Sequence, residues 1–369
     1  MRARIATFVV AIQSILFLAH WFIYKTWTSF EATLDPPGMT GWEAAVMLLS
    51  VSFVVASLLA WRYSNVAVRA FYRLSAVWLG LLNFLFMAAC LSWLIDLGGG
   101  SLGLHLARPT IAAMVFGLAL CAGIYGLANA QWTRVKRIKV KLPNLPPSWR
   151  GRQAALVSDV HLGHVNGLGF MRRIVSKVRH LRPDIVFITG DLYDGTKVNP
   201  GFLAAPWKTI SPAFGAYFVT GNHEEFSNPT KYLEGVKDAG VRVLHNEKVV
   251  IDGLQVVGVH FAETTNADRF RAVLKNAGLE RDQASILLSH APHALPIAEE
   301  AGISLQLSGH THGGQIFPFT WFTRRIFGAY TYGLAQFGHL LVYTTTGVGT
   351  WGPPMRVGTQ PEIVLIEFE

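Results

Sequence analysis

A chain of 369 residues with 51% hydrophobic and only 15% charged side chains departs from an ordinary soluble enzyme and points to membrane-embedded sequence. Its net charge of +9 is confined to one end: the first 150 residues hold 13 basic and 4 acidic side chains, and the remaining 19 of each sign cancel. Positive charge that flanks apolar segments sets membrane orientation, so nucleic acid is excluded as a partner, and two cysteines inside apolar stretches exclude a disulfide framework or a thiolate metal site.

Four apolar segments open the chain: Ile5–Tyr24, Trp42–Trp61, Leu74–Ile95 and Thr110–Ala130. Each is about 20 residues long, enough to cross a bilayer. Only Glu43, close to an end, is charged among them. The first segment is too long for a signal peptide, and no small-x-small cleavage site precedes His20-Trp21. Trp21, Trp27, Trp42, Trp61 and Trp132 mark the ends as an interfacial belt. Arg2 and Arg4, then Arg62, Arg69 and Arg73, then Arg134, Lys136, Arg137, Lys139 and Lys141 fall on one side, against Lys25 and Arg108 on the other. The positive-inside rule predicts an integral, multi-pass protein of the cell or inner membrane, with both termini and everything after Ala130 in the cytoplasm. The polar residues Gln13, His20 and Asn83 suit helix packing, and the uncharged spans argue against a transporter.

The predicted organisation is an α-helical membrane domain of four transmembrane helices with a basic exit segment over residues 1–142, a stiff Pro-rich linker over 143–150, and an α/β domain over 151–369. Short apolar runs predict strands at Ala154–Val157, Ile185–Thr189, Ala216–Thr220, Val256–Val259, Ile286–Leu288, Ile303–Leu307, Leu340–Thr345 and Glu362–Phe368. Amphipathic stretches predict helices at Phe170–Leu181, Pro229–Ala239, Asp268–Ala277 and Leu295–Ala301.

Five of these strands run into clusters of metal-competent side chains: Ser158-Asp159-Val160-His161, Gly190-Asp191-Leu192-Tyr193-Asp194, Gly221-Asn222-His223-Glu224, Ser289-His290 and Gly309-His310-Thr311-His312-Gly313-Gly314. In α/β sheets, ligands bind at the carboxyl ends of strands, so the clusters are expected on one rim. Carboxylate, imidazole and amide donors without thiolate suit Mn²⁺, Fe or Zn²⁺, and the imidazoles disfavour Ca²⁺. The donors are too many for one ion, whereas two ions bridged by a shared carboxylate account for all of them. Such a pair clamps the attacking and leaving oxygens of a displacement at phosphorus and makes water a nucleophile near neutral pH.

This ordered series, Asp159-x-His161, Gly190-Asp191-x-x-Asp194, Gly221-Asn222-His223-Glu224, His290 and Gly309-His310-x-His312, resembles the calcineurin-like metallophosphoesterase superfamily, whose domain is a β-sandwich flanked by helices. Gly313-Gly314-Gln315 and the late Pro361-Glu362-Ile363 resemble its branch of transmembrane proteins with a metallophosphoesterase domain. The resemblance implies one metal held by Asp159, His161, Asp191 and His312, and a second by Asp191, Asn222, His290 and His310, with Asp191 bridging. It implies that His223 stabilises the transition state or protonates the leaving oxygen, and that Asn222 assists charge stabilisation. Asp194 and Glu224 would orient the ligands or His223. It further implies a lipid-linked phosphorylated substrate, with pyrophosphate hydrolysis of UDP-2,3-diacylglucosamine the leading candidate. A general phosphodiesterase or phosphomonoesterase is the alternative enzyme, and a non-catalytic membrane sensor or scaffold the alternative from another class.

Two further places bear on substrate. His260 ends the run Val256–Val259 and departs from the resembled superfamily, many of whose members carry acidic residues there. The aromatic stretch Ile316–Phe327 includes Arg324 and Arg325 and begins a few residues after His312. It reads either as a core strand with a turn or as a lip on the bilayer interface whose arginines bind phosphate, with Trp351-Gly352-Pro353-Pro354 as its other edge.

Overall fold

The computed structural model describes residues 2–31, 39–103, 106–225 and 229–369, and the chain divides into two compact units. The first comprises Met1–Ala128 with Gly352–Met355. It contains α1 (Arg2–Phe30), α2 (Met39–Arg62), α3 (Val66–Ser101) and most of α4 (Arg108–Gln131), and all four are long and apolar enough to cross a membrane. Polar groups inside such helices need partners, because hydrocarbon offers none. Trp78 Nε1 donates to His20 Nε2 at 2.8 Å, and His20 Nδ1 donates to the Leu16 carbonyl at 2.7 Å. Gln13 Nε2 reaches the Ser50 carbonyl at 3.0 Å, and Trp93 Nε1 reaches Thr26 Oγ1 at 3.0 Å. These bonds tie α1 to α2 and α3.

The second unit spans Asn129–Trp351 and Arg356–Glu369. Its strands are β1 (Arg134–Val140), β2 (Gln153–Val157), β3 (Ile185–Thr189), β4 (Ala216–Val219), β5 (Arg242–Val243), β6 (Glu247–Ile251), β7 (Leu254–Gly258), β8 (Ser285–Leu288), β9 (Leu305–Ser308), β10 (Gly333–Phe337), β11 (Leu340–Thr344) and β12 (Glu362–Phe368). They form two six-stranded sheets, ordered β1-β12-β2-β3-β4-β5 and β10-β11-β9-β8-β7-β6. The helices are α5 (Leu168–Leu181), α6 (Pro200–Ala204), α7 (Asn222–Glu225), α8 (Pro229–Asp238), α9 (Phe261–Thr264), α10 (Ala267–Asn276), α11 (Leu295–Glu300) and α12 (Phe319–Phe327).

Alternation along each strand divides the apolar side chains between two cores. Leu156 on β2 and Phe187 on β3 meet Val256, Ile286 and Leu305 between the sheets, while Val157 and Ile188 face Ile174 of α5 and Val236 of α8. On the far side, Val257 and Leu287 pack against Phe270 and Leu274 of α10. The unit is thus a β-sandwich flanked by helices. Because β2, β3 and β4 run parallel in one sheet and β7, β8 and β9 in the other, their carboxyl ends can present loops to a common site.

Two stretches differ from the sequence reading, and at a third the structure goes against one of two alternatives. The basic exit segment is an edge strand of the sandwich: Arg134–Val140 pairs in parallel with Glu362–Phe368. The Pro-rich stretch expected as a linker lies within the second unit, where Leu145 and Trp149 are buried and Trp149 Nε1 donates to the Ile251 carbonyl at 2.9 Å. The aromatic stretch after His312 forms helix α12 rather than a core strand.

Candidate metal centre

Asp159 and His161 follow β2, Asp191 follows β3, Asn222 and His223 follow β4, His290 follows β8, and His310 and His312 follow β9. Among the described residues, three groups bring metal-competent atoms within 4.8 Å of one another: Asp159-His161-His312, His161-Asp191-His223 and Asp191-His290-His310. Asp191 belongs to two of them. Its Oδ2 lies 3.2 Å from His290 Nε2 and 3.8 Å from His161 Nε2, and its Oδ1 accepts the His223 backbone N–H at 2.9 Å.

On one side, Asp191 Oδ2, Asn222 Oδ1 and His310 Nδ1 each stand 3.2 Å from His290 Nε2. His290 Nδ1 donates to the Thr189 carbonyl at 2.7 Å, which fixes the ring and turns Nε2 inward. On the other side, His161 Nε2 and His312 Nε2 are 2.9 Å apart, with Asp159 Oδ1 3.4 Å from the latter. His161 Nδ1 is buried without a hydrogen-bond partner among the described residues.

The main chain makes this convergence possible. Asp159, His161, Asp191, His310 and His312 all hold left-handed backbone, with φ between 49° and 70°. That conformation costs on the order of 1–2 kcal/mol per residue and is typical of functional sites over-determined by their surroundings. Gly309 is needed for close approach, since a Cβ there would strike the Ser158 and Asp159 side chains. At Gly190, φ is +87° and a Cβ would stand 2.6 Å from His290 Nδ1.

Burial drives His161 and His312 well below the ordinary imidazole range and takes His310 down to about 3, so these rings are neutral with lone pairs available. Burial raises Asp159 to about 6. Burial would also raise Asp191, but His290 outweighs it and holds that carboxyl far below its usual range. The converse holds at His290, where burial disfavours charge yet Asp191 holds the ring up to about 10. Neutral imidazoles nitrogen-to-nitrogen beside two buried carboxylates are donors arranged for shared cations. Nitrogen and oxygen ligands without sulfur fit Mn²⁺, Fe or Zn²⁺.

The two remaining carboxylates act through the main chain. Glu224 accepts the backbone N–H groups of Asp191 (3.0 Å), Tyr193 (3.0 Å) and Gly221 (2.7 Å), tying the loop after β3 to that after β4. Asp194 holds His223 with its carbonyl oxygen, which accepts from Nδ1 at 3.0 Å, while its carboxylate binds Thr196. The Nδ1 of His223 is thereby committed to the main chain.

His260 is buried outside the cluster, with Nδ1 2.8 Å from Thr220 Oγ1 and Nε2 2.7 Å from His245 Nδ1. Both ring nitrogens are engaged, so its side chain is built into the packing rather than presented to a substrate. Arg324 and Arg325 are exposed on α12, whose last residue, Phe327, stands 6.2 Å ring-to-ring from His310.

Sequence reasoning missed two residues. Phe261 lies 5.7 Å from the His290 ring and 5.8 Å from His310; it follows β7, so the strand-end rule that found the ligands would have flagged it. Arg356 is fully buried, and its guanidinium donates to the carbonyls of His312 (2.9 Å), Thr346 (2.7 Å) and Gly349 (3.2 Å), with Nη2 3.1 Å from His312 Nδ1. No motif marks it. The exposed Trp351 stands 5.7 Å from the His223 ring, so Phe261, Phe327 and Trp351 form an aromatic rim.

Residues 153–314 match the calcineurin-like phosphoesterase family, which is the class that the sandwich and its histidine–aspartate rim define. Over 316 residues the chain is 34% identical to a transmembrane protein with metallophosphoesterase domain from Danio rerio, a match covering 79% of this chain and 71% of that protein. The protein of the same description from Bos taurus is 34% identical over 278 residues, covering 69% of this chain and 61% of its own length. A crystal structure of a dimetal phosphatase from Danio rerio aligns with a TM-score of 0.36 at 12% identity, over 54% of this chain and 88% of that one. The chain belongs to the calcineurin-like metallophosphoesterases, in the branch of transmembrane proteins with a metallophosphoesterase domain.

Proposed function

We propose that this membrane-associated metallophosphoesterase is a two-metal hydrolase of phosphoester or pyrophosphate bonds. The observation that carries the reading is the shared position of Asp191 between two groups of imidazole and carboxylate donors. One ion would be held by Asp159, His161, Asp191 and His312, the other by Asp191, Asn222, His290 and His310. When bound, two divalent ions supply positive charge for phosphate oxygens and make water a competent nucleophile near neutral pH. His223, its Nδ1 committed to the Asp194 carbonyl, presents Nε2 to protonate the departing oxygen. Asn222 contributes its amide to the developing charge, and Glu224 keeps the Asp191 and His223 loops in register. The rim of Phe261, Phe327 and Trp351 limits water around the reacting group.

The substrate proposed is lipid-linked, with UDP-2,3-diacylglucosamine the named candidate; the apolar helices and the aromatic rim support it. Purified full-length protein with Mn²⁺ is expected to retain about two equivalents of metal and to hydrolyse bis-p-nitrophenyl phosphate. Replacing His223 with alanine should lower kcat by about 10²–10⁴-fold while leaving metal content intact. Metal binding without turnover on simple phosphodiesters or on a panel of lipid-linked pyrophosphates would favour the sensor reading instead.

The lysine and arginine distribution supports a catalytic unit facing the cytoplasm. A green fluorescent protein fused after Glu369 should fluoresce, and alkaline phosphatase fused there should be inactive; an active phosphatase fusion reverses the orientation.

A further inference from the structure

Between the paired histidines after β9 and strand β10, the chain forms a helix that buries none of its side chains. On α12, Phe319, Trp321, Phe322 and Ile326 are 54%, 58%, 49% and 75% exposed. Surface helices ordinarily turn such residues inward, and a contiguous outward apolar patch marks a contact surface. Phe319, Phe322 and Ile326 recur at i, i+3 and i+7 and so share a face. Trp321, 5.0 Å from the Phe322 ring, and Arg325 lie about 90–130° round the helix from the middle of that face, and Arg324 lies on its far side; all three are exposed. The opposite side is occupied by the site: Thr320 packs against Gly314 and Gly358, and Phe327 approaches His310.

Large apolar residues on one face, with Trp321 and Arg325 at its borders, are the composition of a helix that lies in a membrane interface. Within its own unit, this segment is tied to the strand that follows the last candidate span. Tyr332, just beyond α12, accepts a hydrogen bond from Lys136 Nζ at 2.9 Å, and the ammonium also stands 4.4 Å from the Tyr332 ring. Lys136 is on β1, five residues after Gln131, the last residue of α4. At about 3.3 Å per extended residue, that leaves roughly 17 Å of chain between the end of a candidate span and the anchor of the α12 segment. Trp132, between the two, is exposed and stacked by Arg134 at 4.5 Å, a further interfacial pair.

We propose that α12 docks on an anionic phospholipid surface, with Phe319, Phe322 and Ile326 in the interface, Trp321 at its border and Arg325 on headgroup phosphates. Docking sets the Phe327 side of the metal centre at headgroup level, where a phosphoester of a bilayer-resident lipid enters without leaving the membrane. That last consequence rests on the hydrolase reading, whereas the docking does not.

The test places a nitroxide at Phe322→Cys and, separately, at Ile326→Cys in full-length protein carrying Cys90→Ala and Cys121→Ala. The protein is reconstituted in nanodiscs of phosphatidylcholine and phosphatidylglycerol, with Lys208→Cys as the exposed control. The oxygen-to-nickel-chelate accessibility ratio at either helix position is expected to exceed that at residue 208 about fivefold. Ratios at both positions equal to the control, in variants that melt like the parent, overturn the docking and leave the face to a protein partner. Hydrolysis of bis-p-nitrophenyl phosphate in the unlabelled parent separates the two readings. A water-facing label with intact hydrolysis removes the docking alone, and an immersed label without hydrolysis removes the reaction alone.

Discussion

Asp191→Ala is expected to abolish hydrolysis of bis-p-nitrophenyl phosphate and to empty both metal positions. The carboxylate belongs to two of the three donor groups, His161-Asp191-His223 and Asp191-His290-His310, and its second oxygen holds the backbone N–H of His223. Its loss leaves His161, His290, His310 and His312 around one remaining buried carboxylate, Asp159, with too little negative charge for two divalent ions. A metal pair contributes several kcal/mol to the transition state, so the expected loss is about 10³-fold or more in rate. His310→Ala is expected to abolish turnover as well, but by a narrower route. It removes one of the three atoms that stand 3.2 Å from His290 Nε2, and the Asp159-His161-His312 group keeps all its members. Elemental analysis therefore separates the two variants: near-complete metal loss with Asp191→Ala, and loss confined to one equivalent with His310→Ala. Turnover surviving both substitutions would remove the two-metal reading.

Arg356→Ala is expected to destabilise the α/β unit by about 3–5 kcal/mol. The guanidinium is fully buried and donates to the carbonyls of His312, Thr346 and Gly349, which lose that donor when it is gone. An unsatisfied buried acceptor costs about 1–3 kcal/mol, and the Thr346 and Gly349 carbonyls are exposed to that penalty, since the His312 carbonyl also accepts the Gln315 N–H at 3.1 Å. The melting temperature should fall by roughly 10 °C or more. Because Nη2 also stands against the His312 ring, metal affinity should weaken about 10–100-fold, the usual effect of removing a group that positions a ligand. Arg356→Lys keeps the charge but replaces a planar fork by one compact head that cannot span the same carbonyls, so it should fall between the two. A melting curve and a Mn²⁺ titration that both match the parent would show that the carbonyl cage is dispensable.

The loops that carry the candidate ligands were legible because each follows a short apolar run and breaks into glycine and polar residues. The strand predictions at Ile185–Thr189 and Glu362–Phe368 coincide with β3 and β12. Less was legible where the deciding partner is distant. Arg134–Val140 carries four basic residues and reads as a topogenic run, yet its partner Glu362–Phe368 at the far end of the chain makes it a strand. Pro143 to Ser148 has the composition of a spacer, and only the pocket receiving Leu145 and Trp149 shows that it is packed. The stretch Ile316–Phe327 offered strand-like aromatic content, whereas the structure closes it into a helix after Pro318. Arg356 left no trace because an isolated arginine has no periodicity, and its role exists only once three loops surround it.

The left-handed backbone at Asp159, His161, Asp191, His310 and His312 has a consequence for redesign. Aspartate, asparagine and histidine tolerate that conformation better than other side chains, and β-branched or bulky residues tolerate it worst. Attempts to retune the centre toward softer or harder ions must therefore work within a palette of three residue types at five positions. The vocabulary of this site is written in its main chain before any ion is chosen.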